Sequence, residues 1–223
     1  MTTDEYFGDW MKVIDKRELL KVLGEVNQLY SEREVMPAYE DIFKAFSLCP
    51  YNELKVVFIG QDPYPQRGIA TGILFGNKED TIELSPSLEV VKEACVDYTV
   101  THGLFYFDVT LESWARQGIL MLNAALTVDV STPNSHTMIW RPFMTKLLKN
   151  LSTHESGIVY VLFGNLAQTF SPYINSQFNQ VLKEKHPAYY ARCDESMPGT
   201  VFKEVSKLVE GKYGKPINWY KEL

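Results

Sequence analysis

A carboxylate, an imidazole, two carboxamides and a phenol each stand soon after a short apolar run of the chain. They belong to Asp62, His186, Asn123, Asn165 and Tyr64. Parallel strands of an open α/β sheet bring such positions together, because ligands bind at the carboxyl ends of the strands. An acid and an imidazole without an accompanying nucleophile indicate hydrolysis by a positioned water. The residues alone equally allow a plainer role, in which the Asp-Pro pair at position 62 only begins a turn.

Several common catalytic signatures are absent from the sequence. It contains no G-x-S-x-G, no P-loop, no G-x-G-x-x-G and no H-E-x-x-H, so serine hydrolase, P-loop, Rossmann dinucleotide and zincin functions lose support. The three cysteines, Cys49, Cys95 and Cys193, are widely spaced and form no C-x-x-C pair. This pattern favours a reducing compartment and argues against a structural zinc site. We therefore expect no metal and no cofactor.

Four apolar runs predict the strands that position these groups. They cover residues 56–59, 119–122, 158–163 and, more weakly, 180–182. Each is predicted to be buried on both faces. Amphipathic patterns predict helices at residues 17–31, 41–46, 86–95, 143–151 and 201–209, the last ending at Gly211. Strands separated by helices predict a single three-layer α/β domain over residues 1–223, with a central, mostly parallel four-stranded sheet flanked by helices.

The composition is that of a compact domain, and it restricts the function classes. The chain has 223 residues, 45% of them hydrophobic, and a formal net charge of −6. Such acidity argues against a non-specific polyanion binder, which needs clustered Lys and Arg, so any nucleic-acid contact must be local. The first ten residues carry acids where a signal peptide would be basic, and no apolar run approaches the ~18 residues of a membrane span. We expect a cytoplasmic monomer without membrane contact.

Several collinear segments resemble motifs of the family 1 uracil-DNA glycosylases. The segment VVFIGQDPY at residues 56–64 resembles the water-activating motif of that family. Further segments are similar to its base-stacking, minor-groove, uracil-reading and later motifs, and they follow the family's order: residues 70–75, 85–89, 118–128, 135–136, 163–168, 186–187 and 216–219. The resemblance covers roughly residues 35–220 and leaves 1–34 as an N-terminal helical extension. It implies a fold like that of these glycosylases.

The resemblance also implies which groups perform the chemistry. Cleaving the bond between deoxyribose C1′ and uracil N1 builds positive charge on the sugar and negative charge on the base. By resemblance, Asp62 stabilises the sugar cation and orients the attacking water, and His186 donates a hydrogen bond to O2 of the departing uracil. The plainer alternatives are a turn at Asp62 and a hydrogen-bonded core histidine at position 186.

The uracil pocket follows from the same resemblance. Asn123 is implied to read N3–H and O4 of uracil, a pattern that cytosine reverses. Phe75 is implied to stack on the flipped ring, and Tyr64 to occupy the space of a thymine 5-methyl group. Gln61 is implied to add a backbone contact to the base edge. Because a base inside a duplex is out of reach, the nucleotide must first be flipped.

A set of residues around this pocket is expected to bind DNA: Pro63, Pro86, Ser87, Gly164, Asn165, Tyr190 and Arg192. Two positions depart from the family pattern, since Pro65 stands where the family has His and Ala188 where it has Ser. Tyr190 aligns with the residue that wedges into the helix, so it is expected either to fill the gap left by the nucleotide or to pack against the domain. Lys183 and Lys185, with the arginine, are expected to form a positive rim or to be ordinary surface charges.

The function implied by the resemblance is that of a monofunctional uracil-DNA glycosylase. Such an enzyme releases free uracil, leaves an abasic site and initiates base excision repair. The expected partners are uracil-containing DNA, uracil as product and a protein inhibitor that mimics DNA. One alternative is a catalytically weakened uracil- or DNA-binding accessory protein of the same fold. A glycosylase for a modified pyrimidine is a weaker alternative, which Tyr64 disfavours.

Overall fold

The structure, a computed structural model, describes residues 2–96 and 103–222; His102, which carried no predicted role, lies outside them. The described strands are β1 (Val35–Met36), β2 (Val56–Gly60), β3 (Phe105–Tyr106), β4 (Ile119–Asn123), β5 (Val128–Asp129), β6 (Val159–Phe163), β7 (Gln180–Glu184) and β8 (Lys221–Glu222). The described α-helices are α1 (Thr3–Phe7), α2 (Lys16–Glu32), α3 (Lys44–Leu48), α4 (Pro86–Cys95), α5 (Glu112–Ala115), α6 (Thr137–His154), α7 (Gly164–Gln168), α8 (Pro187–Cys193) and α9 (Thr200–Tyr213). Short 3-10 helices cover Gly8–Lys12, Tyr39–Asp41, Tyr51–Glu53 and Ser171–Tyr173.

The central sheet has four parallel strands in the order β4-β2-β6-β7. The predicted fold class is therefore confirmed, with every neighbouring pair parallel. The register places Gly60 beside Asn123 and Phe163 beside Glu184. Because these residues are the last of their strands, the segments that follow all leave the sheet at one edge.

Helices cover both faces of the sheet and form two cores. On one face Val57, Ile59 and Leu120 belong to a core shared with α2, α3 and α6. On the other face Val56 and Phe58 belong to a core shared with α4, α5 and α9. Side chains of successive strand residues point to opposite faces, so β2 supplies both cores alternately. This arrangement explains why β2 is apolar throughout.

Three sequence predictions need correction. β7 was expected to be buried on both faces, but Gln180 and Lys183 are exposed because this strand lies at the edge of the sheet. The last helix passes through Gly211 and ends at Gly214, whose φ of +76° is the left-handed conformation that favours glycine at a helix end. α6 begins at Thr137 and accommodates Pro142 in its interior, well before its predicted start.

The N-terminal segment packs onto the domain. Trp10 is 3% exposed, and its indole Nε1–H donates to the carbonyl oxygens of Phe46 (3.1 Å) and Cys49 (2.9 Å). Asp15 caps α2, accepting hydrogen bonds from the backbone N–H groups of Arg17 and Glu18. In the part of the chain that the structure describes, no helix combines the length and the apolar character needed to cross a membrane.

Candidate active site

Most of the predicted site residues meet in a cavity at the carboxyl edge of the sheet. Its volume is about 340 Å³, and its lining includes Gln61, Asp62, Pro63, Tyr64, Phe75, Ser87, Asn123, His186 and Arg192. These residues come from the segments after β2 and β7, the end of β4, the 70–75 segment and helices α4 and α8. A parallel sheet thus gathers groups that are far apart in the chain.

Asp62 is half-buried in the turn after β2 and fixed through both carboxylate oxygens. Oδ2 accepts a hydrogen bond from the backbone N–H of Asn134 at 2.6 Å, and Oδ1 accepts one from Gln61 Nε2 at 3.1 Å. Burial raises the pKa of Asp62, and the two donors oppose that rise. Each oxygen retains acceptor capacity, so the carboxylate is oriented and still able to hold a water.

His186 stands at the N-cap of α8 with its ring in one tautomer. Its Nδ1 accepts a hydrogen bond from the backbone N–H of Ala188 at 3.2 Å, which leaves the ring proton on Nε2. Burial, assisted by the charge of Arg192, lowers the pKa of His186 to about 4. The side chain is therefore a neutral donor at physiological pH.

Gly164 makes room for that histidine. It follows β6 with a φ of +83°, and a Cβ there would lie 2.9 Å from His186 Cβ. Both the backbone conformation and the close approach require glycine. Asn165, the next residue, is exposed and is not among the residues that line the cavity.

Asn123 presents a buried acceptor without a donor. The residue is 8% exposed, and its Oδ1 has no hydrogen-bond partner among the described residues. Gly60 lies beside it in the sheet, and a Cβ at that glycine would lie 2.9 Å from this oxygen and 2.2 Å from Leu74 Cδ1. Buried polar atoms are almost always paired, so this oxygen marks a place for a ligand donor.

Tyr64 and Phe75 form aromatic walls of the cavity. The Tyr64 hydroxyl donates to the carbonyl oxygen of Phe75 at 3.1 Å and accepts from Ser85 Oγ at 2.6 Å. Phe75 is 5% exposed, and its ring lies edge-on to those of His186 (centroids 5.5 Å apart) and Phe163 (5.4 Å). The two aromatic walls are thus joined by a hydrogen bond.

The residues predicted to contact DNA differ in accessibility. Pro86 opens α4 and is exposed, whereas Ser87 is 6% exposed but reaches the cavity. Pro63 is buried and also lines the cavity. Arg192 is exposed at the cavity mouth and forms no ion pair with any described residue.

Tyr190 packs against the domain, which was the second of its two predicted placements. It is 6% exposed within the core on the α4 side, and its hydroxyl donates to Glu184 Oε1 at 2.8 Å. Tyr189 is half-buried, and Lys185 Nζ lies 4.1 Å from its ring centroid. The Tyr190 ring points into the core from α8 and is therefore not exposed for insertion into DNA.

Two groups that hold the site were missed in the sequence. The backbone N–H of Asn134 fixes Asp62, and the hydroxyl of Ser85 fixes Tyr64. The first has no side-chain signal, although a φ of +66° at Asn134 is typical of Asn in tight turns. Ser85 lies in the segment that resembles the minor-groove motif, and that resemblance does not indicate its hydrogen bond to Tyr64, 21 positions away in the chain.

A larger cavity of about 870 Å³ lies elsewhere and shares no described lining residue with this one. Asp108, Arg116 and Lys221 are part of its lining. Size alone therefore does not identify the site. The smaller cavity combines an oriented carboxylate, a neutral imidazole N–H and an amide oxygen without a described partner, which are groups that can orient a water and bind a polar ring.

Comparisons with known proteins agree with this chemistry. The model of the uracil DNA glycosylase superfamily matches residues 46–209. A uracil-DNA glycosylase of Fusobacterium nucleatum is 33% identical over 221 residues, which is 95% of each chain. A uracil-DNA glycosylase of Coxiella burnetii is 33% identical over 229 residues, covering 98% of this chain and 97% of its own.

Solved structures share the fold. A mimivirus uracil-DNA glycosylase superposes with a TM-score of 0.74 at 20% identity, covering 98% of this chain and 93% of its own. UNG from Nitratifractor salsuginis gives 0.62 at 20% identity, covering 92% and 97%. No comparison favours the accessory-protein alternative. The family model spans most of the chain and the relatives nearly all of it, so the chain belongs to the uracil-DNA glycosylase superfamily and is a glycosylase enzyme.

Proposed function

We propose that the cavity holds a flipped uracil nucleotide, with Asp62 facing the sugar and His186 facing the base. The observation that carries this proposal concerns Asn123, which lines the same cavity and whose buried Oδ1 has no donor among the described residues. Leaving such an acceptor unpaired costs about 1–3 kcal/mol. The N3–H of uracil supplies the missing donor, and the O4 of the base then accepts from Nδ2 of the same side chain.

Asp62 and His186 divide the charges of the transition state. The carboxylate faces the sugar as positive charge develops at C1′, and it orients the water that attacks this carbon. Nε2–H of the histidine donates to O2 of uracil as negative charge builds there. Because the imidazole is already neutral, it stabilises the leaving uracil anion through a hydrogen bond without giving up its proton.

Base selection combines hydrogen bonding with shape. Cytosine presents an acceptor at N3 and a donor at N4, so it would leave the amide of Asn123 mismatched on both sides. Tyr64 lines the cavity where a 5-methyl group would enter, and Phe75 offers its ring for stacking. Gln61 keeps its carbonyl bonded to the N–H of Ala125 at 3.1 Å, so its own N–H is the group we propose for the base edge.

DNA contacts form around the cavity mouth. We propose that Arg192 binds a backbone phosphate, since it lines the cavity and is free of described ion pairs. The backbone at Gly164 and Asn165, the start of α4, and Pro63 in the cavity lining complete the proposed surface. For Tyr190 we propose a supporting role in the core, because its burial and its bond to Glu184 favour that alternative.

The chain is also proposed to act as one domain and as a monomer in the cytoplasm. Residues of α1 and α2 share a core with β2, and one chain carries every proposed site residue. Cys49 and Cys193 are free thiols, which suits a reducing compartment. Some structural neighbours, variants of the mimivirus UNG, are complexes with UGI. We propose a protein that mimics DNA as a partner of this chain too.

Replacing Asn123 by Asp tests the proposed function. The ionised carboxylate has no donor for O4 of uracil, and the protonated form offers the O–H that N3 of cytosine needs, so Asn123→Asp should release cytosine and should release uracil more slowly than the wild type. The measurement is free base released from oligonucleotides with one uracil or cytosine, in the presence of a chelator. Asn52→Asp is the matched control, because Asn52 is exposed and away from the cavity. Unchanged uracil release by Asn123→Asp would refute the proposed recognition.

A further inference from the structure

Tyr64 is held by a series of hydrogen bonds that begins outside the cavity. Asn77 Nδ2 donates to Ser85 Oγ at 3.1 Å, and Ser85 Oγ donates to the Tyr64 hydroxyl at 2.6 Å. That hydroxyl donates to the carbonyl oxygen of Phe75 at 3.1 Å. We call these four residues the Tyr64 relay. Neither Asn77 nor Ser85 lines the cavity, so the relay reaches the Tyr64 hydroxyl from outside the cavity.

The chemistry of its two ends orients the whole relay. The backbone N–H of Ser85 donates to Asn77 Oδ1 at 2.8 Å, which leaves the Nδ2 group of that amide as the donor to the serine hydroxyl. A carbonyl oxygen only accepts, so at the other end the Tyr64 hydroxyl must donate to Phe75. Both hydroxyl protons therefore point toward Phe75.

The Ser85 side chain belongs to the relay and does not cap its helix. It occupies the N-cap of α4, where a serine side chain ordinarily accepts from a helix N–H, yet its side chain makes no capping hydrogen bond. Its hydroxyl is turned to Tyr64 instead. Asn77, which orients that hydroxyl, is 1% exposed, and its Oδ1 accepts from the backbone N–H of Ser85.

The relay ends on a strained residue. Phe75 has a φ of +63°, the left-handed conformation that is unusual for an aromatic residue. The bond from Tyr64 holds its carbonyl oxygen, while its ring lies against that of His186 with centroids 5.5 Å apart. Tyr64 and Phe75 are thus held in register as two walls of one pocket.

We propose that Ser85 is a positioning residue that sets discrimination against 5-substituted pyrimidines, and that Asn77 orients it for this task. Tyr64 excludes a 5-substituent only if its ring stays in place when a bulky base pushes against it. The relay holds the ring in place through the two hydrogen bonds of the Tyr64 hydroxyl, to Ser85 and to Phe75. This inference rests on the proposed role of Tyr64 as the wall beside the 5-position.

Size at the 5-position is measured with two halogenated bases. 5-Fluorouracil and 5-bromouracil are similarly activated as leaving groups, but bromine has nearly the size of a methyl group. The readout is the ratio of kcat/KM for 5-bromouracil to that for 5-fluorouracil in otherwise identical oligonucleotides. Ser85→Ala should raise this ratio ~5-fold, the worth of about one hydrogen bond, and Ser85→Thr should restore the wild-type ratio.

Matched variants separate positioning from stability. Ser206→Ala removes a different serine hydroxyl, which is buried, accepts from Trp219 Nε1–H at 3.0 Å and is not part of the cavity lining. It should lower the melting temperature without changing the ratio. Tyr64→Phe keeps the ring and removes both of its hydrogen bonds, so it should raise the ratio as Ser85→Ala does. The double variant should raise the ratio no more than Tyr64→Phe alone, because both substitutions remove the hydrogen bond between Ser85 and Tyr64.

Tyr64→Ala, assayed in parallel, shows which idea has failed. If Tyr64→Ala raises the ratio and Ser85→Ala does not, the relay has no role in selection and the inference is overturned, whereas the proposed wall at Tyr64 stands. If neither variant raises the ratio, the wall itself is refuted and the inference with it. A raised ratio that Ser85→Thr restores supports the inference.

Discussion

His186 suits its proposed role because its environment keeps the ring neutral. The backbone N–H of Ala188 occupies Nδ1, and burial lowers the pKa to about 4 from the ordinary 6.5. A charged imidazolium would donate more strongly in the ground state, but it would also have to be maintained in a poorly solvated cavity. A neutral donor is useful mainly when charge has developed on uracil O2, which is the condition for lowering the barrier.

The protonation state of His186 can be measured directly. Nitrogen-15 NMR of the labelled enzyme should show neutral imidazole with the proton on Nε2 from neutral pH down to about pH 5. The unfolded chain takes up the second imidazole proton near pH 6.5 and the folded chain near pH 4. The neutral, buried His186 therefore makes its full contribution to the free energy of unfolding above about pH 6.5. It is lost as the pH falls toward 4. His186→Gln should flatten that part of the stability profile. A His186 pKa of 6.5 or higher would contradict the account.

The residues that we propose for the chemistry could be predicted from the sequence, and the groups that hold them could not. Asp62, Asn123 and His186 follow apolar strands, so their types and positions are visible in the chain. The donor from Asn134 is a backbone N–H, which every residue except proline carries. Its selection depends on the path of a loop, and the inward turn of Tyr190 depends on how α8 packs; neither is encoded in residue type.

At the scale of elements, the loop between β5 and α6 is fixed by a buried polar network. Thr127 Oγ1 accepts from Trp140 Nε1 at 2.7 Å and pairs with His136 Nδ1 at 2.9 Å. His136 Nε2 lies 3.1 Å from Asp129 Oδ1. Burial lowers the pKa of this histidine although the aspartate opposes it. The loop so anchored carries the backbone N–H of Asn134 that binds the Asp62 carboxylate.

Thr127→Val should therefore weaken both the fold and the reaction. The isosteric change leaves two buried polar groups without a partner, which costs about 2 kcal/mol or more, and it loosens the donor on Asp62. We expect a lower melting temperature by calorimetry and a several-fold lower single-turnover rate. Thr153→Val is the control, because the Thr153 hydroxyl only donates to the Lys149 carbonyl on an exposed helix turn. An unaltered melting temperature for Thr127→Val would show that the network is not structural.

Element types were predictable where burial and local pattern agree. β2, β6 and the part of β4 up to Leu122 are apolar and buried, and their predicted positions match the structure to within one residue. β7 reads as a weak apolar run because it is an edge strand with polar positions. The continuation of α9 past Gly211 has a local explanation, since an exposed glycine costs a helix only about 1 kcal/mol and the helix ends at the next glycine with a left-handed φ.

At the scale of the whole molecule, an acidic enzyme must bind a polyanion. The net charge of −6 repels DNA at a distance, so affinity has to arise from a small surface around the cavity. Arg192 is the cation we place there, and its proximity also lowers the pKa of His186. One side chain thus links the proposed phosphate contact to the protonation state of His186.

Salt dependence tests this local surface. The affinity for uracil-containing DNA should fall as salt rises, and Arg192→Gln should reduce the slope of log K against log salt by about 1, as expected for one lost phosphate contact. Fluorescence anisotropy with a labelled oligonucleotide provides the measurement. Lys149→Gln is the control, since that lysine is exposed and is not among the cavity residues. Equal slopes for both variants would rule out a phosphate contact at Arg192.

The fold as a whole was predictable because alternating strands and helices permit few arrangements. The shape of the cavity was not, since it depends on contacts such as Gly60 against Leu74 and Gly164 against His186. Those contacts join segments from different strands, and no local pattern reports them.

The central claim is that the charge of Asp62 stabilises the sugar cation in the transition state. Measuring both the DNA affinity and the single-turnover rate of Asp62→Asn tests this claim most directly. Asparagine keeps the shape and removes the charge that is matched to the sugar cation, so DNA affinity should change less than ~3-fold while the single-turnover rate falls ~100-fold or more. Asp80→Asn, the same substitution at an exposed position, should leave both unchanged. An Asp62→Asn enzyme that releases uracil at the wild-type rate would contradict the assigned mechanism.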